Sequence, residues 1–183
     1  MGKICGIRLL QMVKFLRVHG RAAREQLSPA LHHYLGTGTM IDVAGWYPET
    51  DHEALIEATA RLLPQPDLFS TYQWIGRIGA RNDLRTYYPD IFVADDPAAT
   101  LENLTTLWHR HHDSGRLEAV ASRDGHGTIL VCDFPHLTPV FVDVTSGYLE
   151  ELVRLANGRH PHAGRVATER PDQQGWRVRW SPA

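Results

Sequence analysis

Three histidines fall within four positions in the segment 108–113, which reads Trp-His-Arg-His-His-Asp. Histidine titrates near neutral pH and is the commonest metal ligand in proteins. His109 and His112 are three residues apart, so on a helix they share a face and could bind a metal with Asp113 and a more distant ligand. Such a site would suit a metal-dependent hydrolase. The alternative is a solvated helix end, where the negative end of the helix dipole favours histidine.

His111 has a different position in the pattern. Leu101, Leu104 and Trp108 recur at helical spacing, and His111 is next on the same face, so we expect its side chain to point inward. An inward histidine can line a ligand pocket, or it can be a hydrogen-bonded core residue. The pattern leaves both readings open.

Arginines and aromatic residues supply a second candidate site. Arg77, Arg81 and Arg85 recur every four residues, as in a clamp for a carboxylate or phosphate, or in a solvated helix face. The aromatic residues could line an apolar pocket or pack a core. They include Trp46, Tyr47, Trp74, Tyr87, Tyr88, Trp108, Trp176 and Trp180.

No nucleophile stands out among the 183 residues. Ser114 and Ser146 lack the local glycine pattern of a nucleophile elbow. Gly76 and Gly79 lack the preceding strand that a nucleotide-binding loop requires. The sequence therefore predicts a protein that is not an enzyme.

Composition narrows the class further. The formal net charge is −2, with 43% hydrophobic and 22% charged residues, which argues against a nucleic-acid binder and for a soluble globular domain. No run approaches the ~20 apolar residues that span a bilayer, and Arg8 interrupts the apolar N-terminal stretch, so neither a membrane span nor a signal peptide is expected. Cys5 and Cys132 lie in apolar runs, which predicts buried free thiols and a cytoplasmic protein.

The elements that position these residues can be read from hydrophobic spacing. Residues 3–19 predict a helix that ends at Gly20, and residues 28–36 predict a short helix. Trp46-Tyr47-Pro48 predicts a loop, followed by a capping box at residues 50–53. Further helices are expected up to Pro64, after Asp67, and from Asp96-Pro97 to Gly115.

In the second half of the chain, the spacing of the hydrophobic residues changes from helical to alternating. Residues 117–122 and 127–134 predict a hairpin around Asp124-Gly125, then a helix from 140 to 157 and a closing hairpin with Trp176 and Trp180 buried. We therefore predict a single domain over 1–183, mainly helical over 1–95, with a helix, hairpin, helix and hairpin over 96–183. The fold class is α+β: an N-terminal helical part packs on a small antiparallel sheet with a C-terminal helix and hairpin.

This order of elements resembles the haem-nitric oxide/oxygen binding (H-NOX) domains and their haem-free relatives. Those relatives are 4-vinyl reductase-like ligand domains, TRAPP-like subunits and uncharacterised bacterial domains of myxobacterial type. The similarity is diffuse and covers nearly the whole chain. It is carried by the N-terminal Met-Gly-Lys-Ile, by the segments 51–53, 76–77 and 87–92, by the histidine-ended helix before the hairpin, and by 147–149. In the bacterial relatives, the segments 46–48 and 175–180 also look similar.

The resemblance implies that a histidine on the helix before the hairpin would ligate haem iron, and His111 is the best match, beside His109 and His112. Haem-binding members also hold the propionates with a Tyr-x-Ser-x-Arg motif. The corresponding stretch here, residues 134–139, reads Phe-Pro-His-Leu-Thr-Pro and has neither tyrosine nor arginine. Two propionates would lose their charge-assisted partners there, unless Arg77 or Arg81 replaced them.

The resemblance therefore implies a non-catalytic sensory or ligand-binding domain with an apolar cavity between helices and sheet. A small hydrophobic molecule or an acyl chain would be the ligand, and a protein partner would receive the signal, with a homodimer left open. No cofactor is expected, and a haem-based gas sensor with His111 as the proximal ligand is the alternative. A plain scaffolding protein is a further alternative. The predicted ligand-binding residues are Trp108, His111, Trp74, Tyr88 and Arg77.

Overall fold

The computed structural model describes residues 2–64 and 66–182, and it has the predicted α+β architecture. Its α-helices are α1 (Gly6–Gln26), α2 (Glu49–Leu62), α3 (Leu68–Asn82), α4 (Pro97–Glu102), α5 (Leu104–His111) and α6 (Pro139–Leu155). Its strands are β1 (Lys3–Cys5), β2 (Trp46–Pro48), β3 (Arg116–Ser122), β4 (His126–Cys132), β5 (Arg159–Val166) and β6 (Gln173–Ser181). Short 3₁₀ turns cover Pro29–Leu35 and Pro89–Ile91, and a π-turn extends α3 over Asp83–Tyr87.

The N-terminal segment differs from its prediction. Lys3–Cys5 forms a strand that pairs antiparallel with Trp46–Pro48, so the loop predicted for residues 46–48 is wrong. The first helix does not stop at Gly20. The chain kinks there, with Gly20 at a φ of 49°, a left-handed value that glycine adopts at little cost, and continues to Gln26.

The helix starts predicted at Asp67 and at Asp96-Pro97 are confirmed, and the Asp96 side chain accepts a hydrogen bond from the backbone amide of Ala99 at the start of α4. The Asp67 side chain accepts a hydrogen bond from the backbone amide of Ser70, which caps α3. The capping box at residues 50–53 is wrong, because α2 already begins at Glu49, with Pro48 at the N-cap and Thr50 inside the first turn.

The helix that carries the histidines is two helices. α4 ends at Glu102 and α5 begins at Leu104, whereas the sequence predicted one helix from Pro97 towards Gly115. Asn103 makes the break, and its side-chain amide donates to the carbonyl oxygen of Ile91 at 2.9 Å. α5 ends at His111, so His112 has extended backbone, which turns its ring away from the helix face expected for it.

The predicted hairpins are confirmed. They form one four-stranded antiparallel sheet in the order β3-β4-β6-β5, with Asp124-Gly125 in the turn of the first hairpin. Trp176 and Trp180 are buried, at 0% and 7% exposure. The helix predicted over 140–157 is α6, which packs against both α3 and β5.

α3 and α6 approach closely because two glycines leave room for backbone. A Cβ at Gly76 would overlap the carbonyl oxygen of Val144, and a Cβ at Gly147 would overlap that of Gln73. This packing fixes the position of α6, which supplies one wall of the site described next.

The apolar core is divided into three clusters. One joins the sheet to α4, α5 and α6, another joins α1 to α2 and the 3₁₀ turn at 29–35, and a third joins α2, α3 and α6. Cys5 and Cys132 are buried free thiols, as predicted. Among the helices of residues 2–64 and 66–182, none combines the length and the apolar character needed to cross a bilayer.

Candidate functional site

A cavity of about 100 Å³ lies where β1, α1, α2, α5 and α6 meet, and it is partly open to solvent. Its walls are mostly apolar and include Ile56, Leu104, Leu107 and Leu149. Four histidines also line it, and they come from three separate segments of the chain: His52, His111, His112 and His136.

His111, the last residue of α5, is buried, with 6% of its surface exposed. Its Nε2 has no hydrogen-bond partner and lies 3.9 Å from Oδ2 of Asp83, too far for a hydrogen bond. Its ring meets the edge of Tyr88, with the centroids 5.0 Å apart. Burial, and then the nearby Arg8 cation, hold the pKa of His111 well below 6.5, so the imidazole is neutral.

A buried ion pair lies behind His111. Arg8 of α1 donates to Oδ2 of Asp83 at 2.8 Å, and the hydroxyl of Tyr148 on α6 donates to the same oxygen at 2.8 Å. The Asp83 side chain is fully buried and its Oδ1 has no partner. Burial raises the pKa of Asp83, although Arg8 and Tyr148 oppose that rise. The network joins α1, the π-turn and α6 at one point.

His112 closes another side of the cavity. Its Nδ1 lies 2.6 Å from Oε1 of Glu49, the first residue of α2, and both side chains are nearly buried. The ring stacks on Trp108 at a centroid distance of 4.1 Å. The next residue continues the connection, because Asp113 exchanges two hydrogen bonds with Lys3 of β1, at 2.6 and 3.0 Å.

The other two histidines come from α2 and from the loop before α6. Burial, and then the Arg8 cation, keep the pKa of His52 well below 6.5. His136 is partly buried and its Nε2 has no hydrogen-bond partner. Nε2 of His111 and Nε2 of His136 are thus both buried in the wall of the cavity without a hydrogen-bond partner.

The structure brings together only some of the predicted ligand-binding residues. Trp108 and His111 line the cavity, and Tyr88 packs against His111 from behind. Trp74 is 38% exposed, and Arg77 donates to Glu150 at 2.8 Å. Neither Trp74 nor Arg77 lines the cavity, because both lie on α3, which packs on α6 and contributes no residue to the cavity wall.

The metal-site hypothesis depends on His109, His112 and Asp113 lying together. His109 is exposed, whereas His112 turns into the cavity. Within residues 2–64 and 66–182, no three His, Cys, Asp or Glu side chains are grouped so that they could hold a metal ion.

The residues present do not fit a haem. The cavity is well below the roughly 300 Å³ at which pockets for ligands of ordinary size begin, and a porphyrin is a large ligand. The residue expected to ligate iron, His111, lies against the Arg8–Asp83 pair. The two arginines considered as partners for propionates are already used, Arg77 by Glu150 and Arg81 by Glu151 at 2.6 Å.

Sequence reasoning missed Arg8, Glu49, His52 and Asp83, which lie far apart along the chain and meet only in the fold. One signal was visible, since Arg8 interrupts an otherwise apolar stretch of the first helix. A charged residue on a buried helix face needs a partner of opposite charge. Asp83 could not be identified as that partner from the sequence.

No protein-family model and no curated protein matches the sequence. Solved structures do match. A Cs H-NOX variant with 4-cyano-L-phenylalanine at site 5 superposes with a TM-score of 0.70 at 12% identity, covering 96% of each chain. An oxygen-binding H-NOX domain related to soluble guanylate cyclases gives 0.65 at 11% identity, covering 94% of this chain and 92% of that one.

A point variant of the T. tengcongensis H-NOX domain gives a TM-score of 0.63 at 11% identity, with 93% of each chain covered. The chain therefore has the H-NOX fold, as its order of elements predicted.

Proposed function

We propose that the protein is a non-catalytic sensory domain that binds a small molecule in the cavity where β1, α1, α2, α5 and α6 meet, without haem. The observation that carries the proposal is the cavity itself, which is mostly apolar, partly open to solvent and lined by His111 among four histidines. A concave, mostly apolar pocket with a few polar side chains in its wall is the usual form of a site for a small organic molecule. The H-NOX fold supports this proposal, since neighbours of this fold include an oxygen-binding domain.

The connection from the cavity to the surface runs through the end of α5. His112 contacts Glu49, and Asp113 is bonded to Lys3, so a shift of α5 would move β1. β1 is paired with β2, where Trp46 is 44% exposed. A protein partner in the cytoplasm, rather than a nucleic acid, would bind this two-stranded ribbon and respond to the change in its position.

A binding role is favoured over catalysis by the state of the reactive side chains. Burial raises the pKa of the Cys5 thiol, which keeps it in the unreactive protonated form. Ser146 is buried, donates to the carbonyl oxygen of Val142 and accepts from the indole of Trp176. Neither Cys5 nor Ser146 lines the cavity.

The proposal can be tested with a library of small organic molecules screened by thermal shift. The comparison is between the wild-type chain and Val144→Phe, in which the larger ring occupies the cavity. Val18→Phe, at an 85% exposed site, is the matched control. We expect compounds that stabilise the wild type and the control but not Val144→Phe. Binding that is equal in all three proteins, or absent altogether, would contradict the proposal.

A haem-based gas sensor is the second candidate, although the cavity volume and the paired arginines described above do not fit a haem. It is favoured by the place of His111 before the hairpin and by H-NOX neighbours studied for haem distortion and haem redox potential. Titration of the purified protein with haemin tests it directly. A Soret band that disappears in His111→Ala would establish this function, and a protein that takes up no haemin would eliminate it.

A further inference from the structure

We infer that the cavity binds a short-chain alkylammonium ion, with the hydrocarbon body against the apolar wall and the charge beside the carboxylate of Glu53. This inference rests on the proposed function and names its ligand class. Three properties of the site lead to it: the pairing of the charges in its wall, the row of carboxylates to which Glu53 belongs, and the volume.

The charged side chains in the cavity wall are Arg8, Glu49 and Glu53. Arg8 is paired with Asp83 at 2.8 Å, and Oε1 of Glu49 lies 2.6 Å from Nδ1 of His112. Glu53, in contrast, forms no ion pair with any residue in the ranges 2–64 and 66–182. With its histidines neutral, the wall therefore carries one negative charge that the protein itself does not balance.

Glu53 is the middle member of a row of carboxylates on α2. Glu49, Glu53 and Glu57 are four residues apart, so they lie on one face of the helix and repel one another. Burial raises the pKa of Glu53, and the Thr138 hydroxyl and His136 oppose that rise. The charges of Glu57 and Glu49 add to it. A cation beside Glu53 would stabilise the ionised carboxylate, whereas an anion would meet the repulsion of the whole row.

The volume limits the hydrocarbon part of the ligand. A buried apolar cavity of roughly 150 Å³ holds a benzene molecule. At about 100 Å³, this cavity accommodates a body somewhat smaller than benzene, such as a butyl group, and its mostly apolar wall favours hydrocarbon. Glu53 is only partly buried, so an ammonium beside it keeps part of its hydration and avoids much of the penalty for burying a charge.

Two other classes of ligand fit less well. A metal ion needs several grouped ligands, and no such group of three His, Cys, Asp or Glu side chains exists within residues 2–64 and 66–182. A bound carboxylate would have to take Arg8 from Asp83, which would leave a fully buried carboxylate without its partner.

The test compares n-butylammonium with n-butanol, which has the same number of non-hydrogen atoms and no charge, and with butyrate. Affinities are measured by NMR titration of the ¹⁵N-labelled full chain at pH 8, where an ordinary histidine is neutral and an alkylamine is protonated. Glu53→Gln removes the charge and keeps the shape of the side chain. Glu57→Gln makes the same change one turn further along α2, at a carboxylate that pairs with Arg61 and does not line the cavity.

We expect butylammonium to bind the wild type about threefold to tenfold more tightly than butanol, between the values for an exposed ion pair and for a hydrogen bond to a charged group. Butyrate should bind more weakly than butanol. The preference for the amine should persist in Glu57→Gln and vanish in Glu53→Gln. It should also shrink in the wild type at high salt, because salt screens a partly exposed ion pair. If Glu53→Gln fails to fold, this salt dependence decides.

Equal binding of butylammonium and butanol, a preference that salt does not reduce, or one that Glu53→Gln retains or Glu57→Gln also loses would overturn the inference. Amine binding that persists in Val144→Phe, whose cavity is filled, would overturn it as well. In each case, butanol binding that Val144→Phe abolishes would leave the proposed function in place. Absence of binding by every probe would overturn the inference and, together with a negative library screen, the proposed function too.

Discussion

Nε2 of His111 and Oδ2 of Asp83 face each other across 3.9 Å inside the protein without a hydrogen bond. The carboxylate instead accepts from Arg8 and from Tyr148. Burial, and then the Arg8 cation, hold the pKa of His111 well below 6.5, so the imidazole is neutral and does not form an ion pair with the carboxylate beside it. This arrangement and the contacts around it determine how the protein should respond to substitution, to pH and to ligand.

The Arg8–Asp83 pair should be strongly coupled. Asp83→Asn removes a fully buried negative charge and leaves Arg8 without its counter-ion, so we expect the free energy of unfolding to fall by about 3–5 kcal/mol. Urea denaturation measures it. Asp90→Asn, at an exposed pair with Arg110, should change stability little. If both substitutions lowered the free energy of unfolding equally, the strong coupling between Arg8 and Asp83 would be contradicted.

The buried histidines should make stability depend on pH. The pKa values of His52 and His111 are lowered in the fold by burial, so the unfolded chain binds protons that the folded chain does not. Stability is therefore complete above about pH 6.5 and falls as the pH drops below that value, by at most about 1.4 kcal/mol per pH unit for each histidine.

Urea denaturation of wild type and His111→Asn at pH 7.5, 6.5 and 5.5 measures this slope. The variant should lose part of it, whereas the exposed substitution His109→Asn should keep it. Asp83 contributes with the opposite sign, because its pKa is raised and its stabilising effect is lost as the pH rises; that contribution is common to the wild type and His109→Asn. A slope unchanged in His111→Asn would contradict the assignment.

Much of the fold was predictable from local pattern. The long helices show hydrophobic spacing over several turns, and the Asp124-Gly125 turn marks the hairpin. The three-residue strands β1 and β2 were missed because three residues cannot show a period. The break at Asn103 was missed because its cause is a tertiary hydrogen bond to Ile91.

The site was predictable only in part, for a related reason. The inward position of His111 follows from the period of its own helix, and the structure confirms that it is buried. The inward turn of His112 depends on where α5 ends, and its partner Glu49 lies 63 residues away. Residues that meet through long-range contacts leave no pattern in a single sequence.

The contact between His112 and Glu49 should hold the end of α5 against β1. His112→Ala leaves a nearly buried carboxylate without its partner, and we expect a loss of about 1–3 kcal/mol in the free energy of unfolding. Hydrogen exchange of the Asp113 amide, which donates to Lys3, should accelerate. His109→Ala, at an exposed position near the end of α5, should leave that exchange rate unchanged. Equal protection of the Asp113 amide in both variants would show that the backbone bonds alone fix this junction.

The close approach of α3 and α6 should make Gly76 intolerant of a side chain. Glycine to alanine inside an exposed helix normally stabilises it by roughly 1 kcal/mol. At Gly76 the new Cβ would overlap the carbonyl oxygen of Val144, so the helices must separate and we expect a net loss of about 1–3 kcal/mol. Thermal unfolding measures the loss. Gly38→Ala, at an exposed position with no atom within 4 Å of the new Cβ, is the control and should be neutral or slightly stabilising.

A cavity retained for ligand binding and a defect in packing respond differently when they are filled. Val144→Leu adds one methylene group to the wall, and burying it should raise the free energy of unfolding of the ligand-free protein by about 0.8 kcal/mol where the space accepts it. The same change should reduce the stabilisation by compounds found in the library screen, because ligand and side chain occupy one volume. Stabilisation without any loss of ligand response would mean that the ligand binds elsewhere. Destabilisation of the ligand-free protein would mean that the walls of the cavity are too rigid to accept the added methylene group. In that case Thr145→Val, which preserves the volume of the side chain, would test the response to ligand.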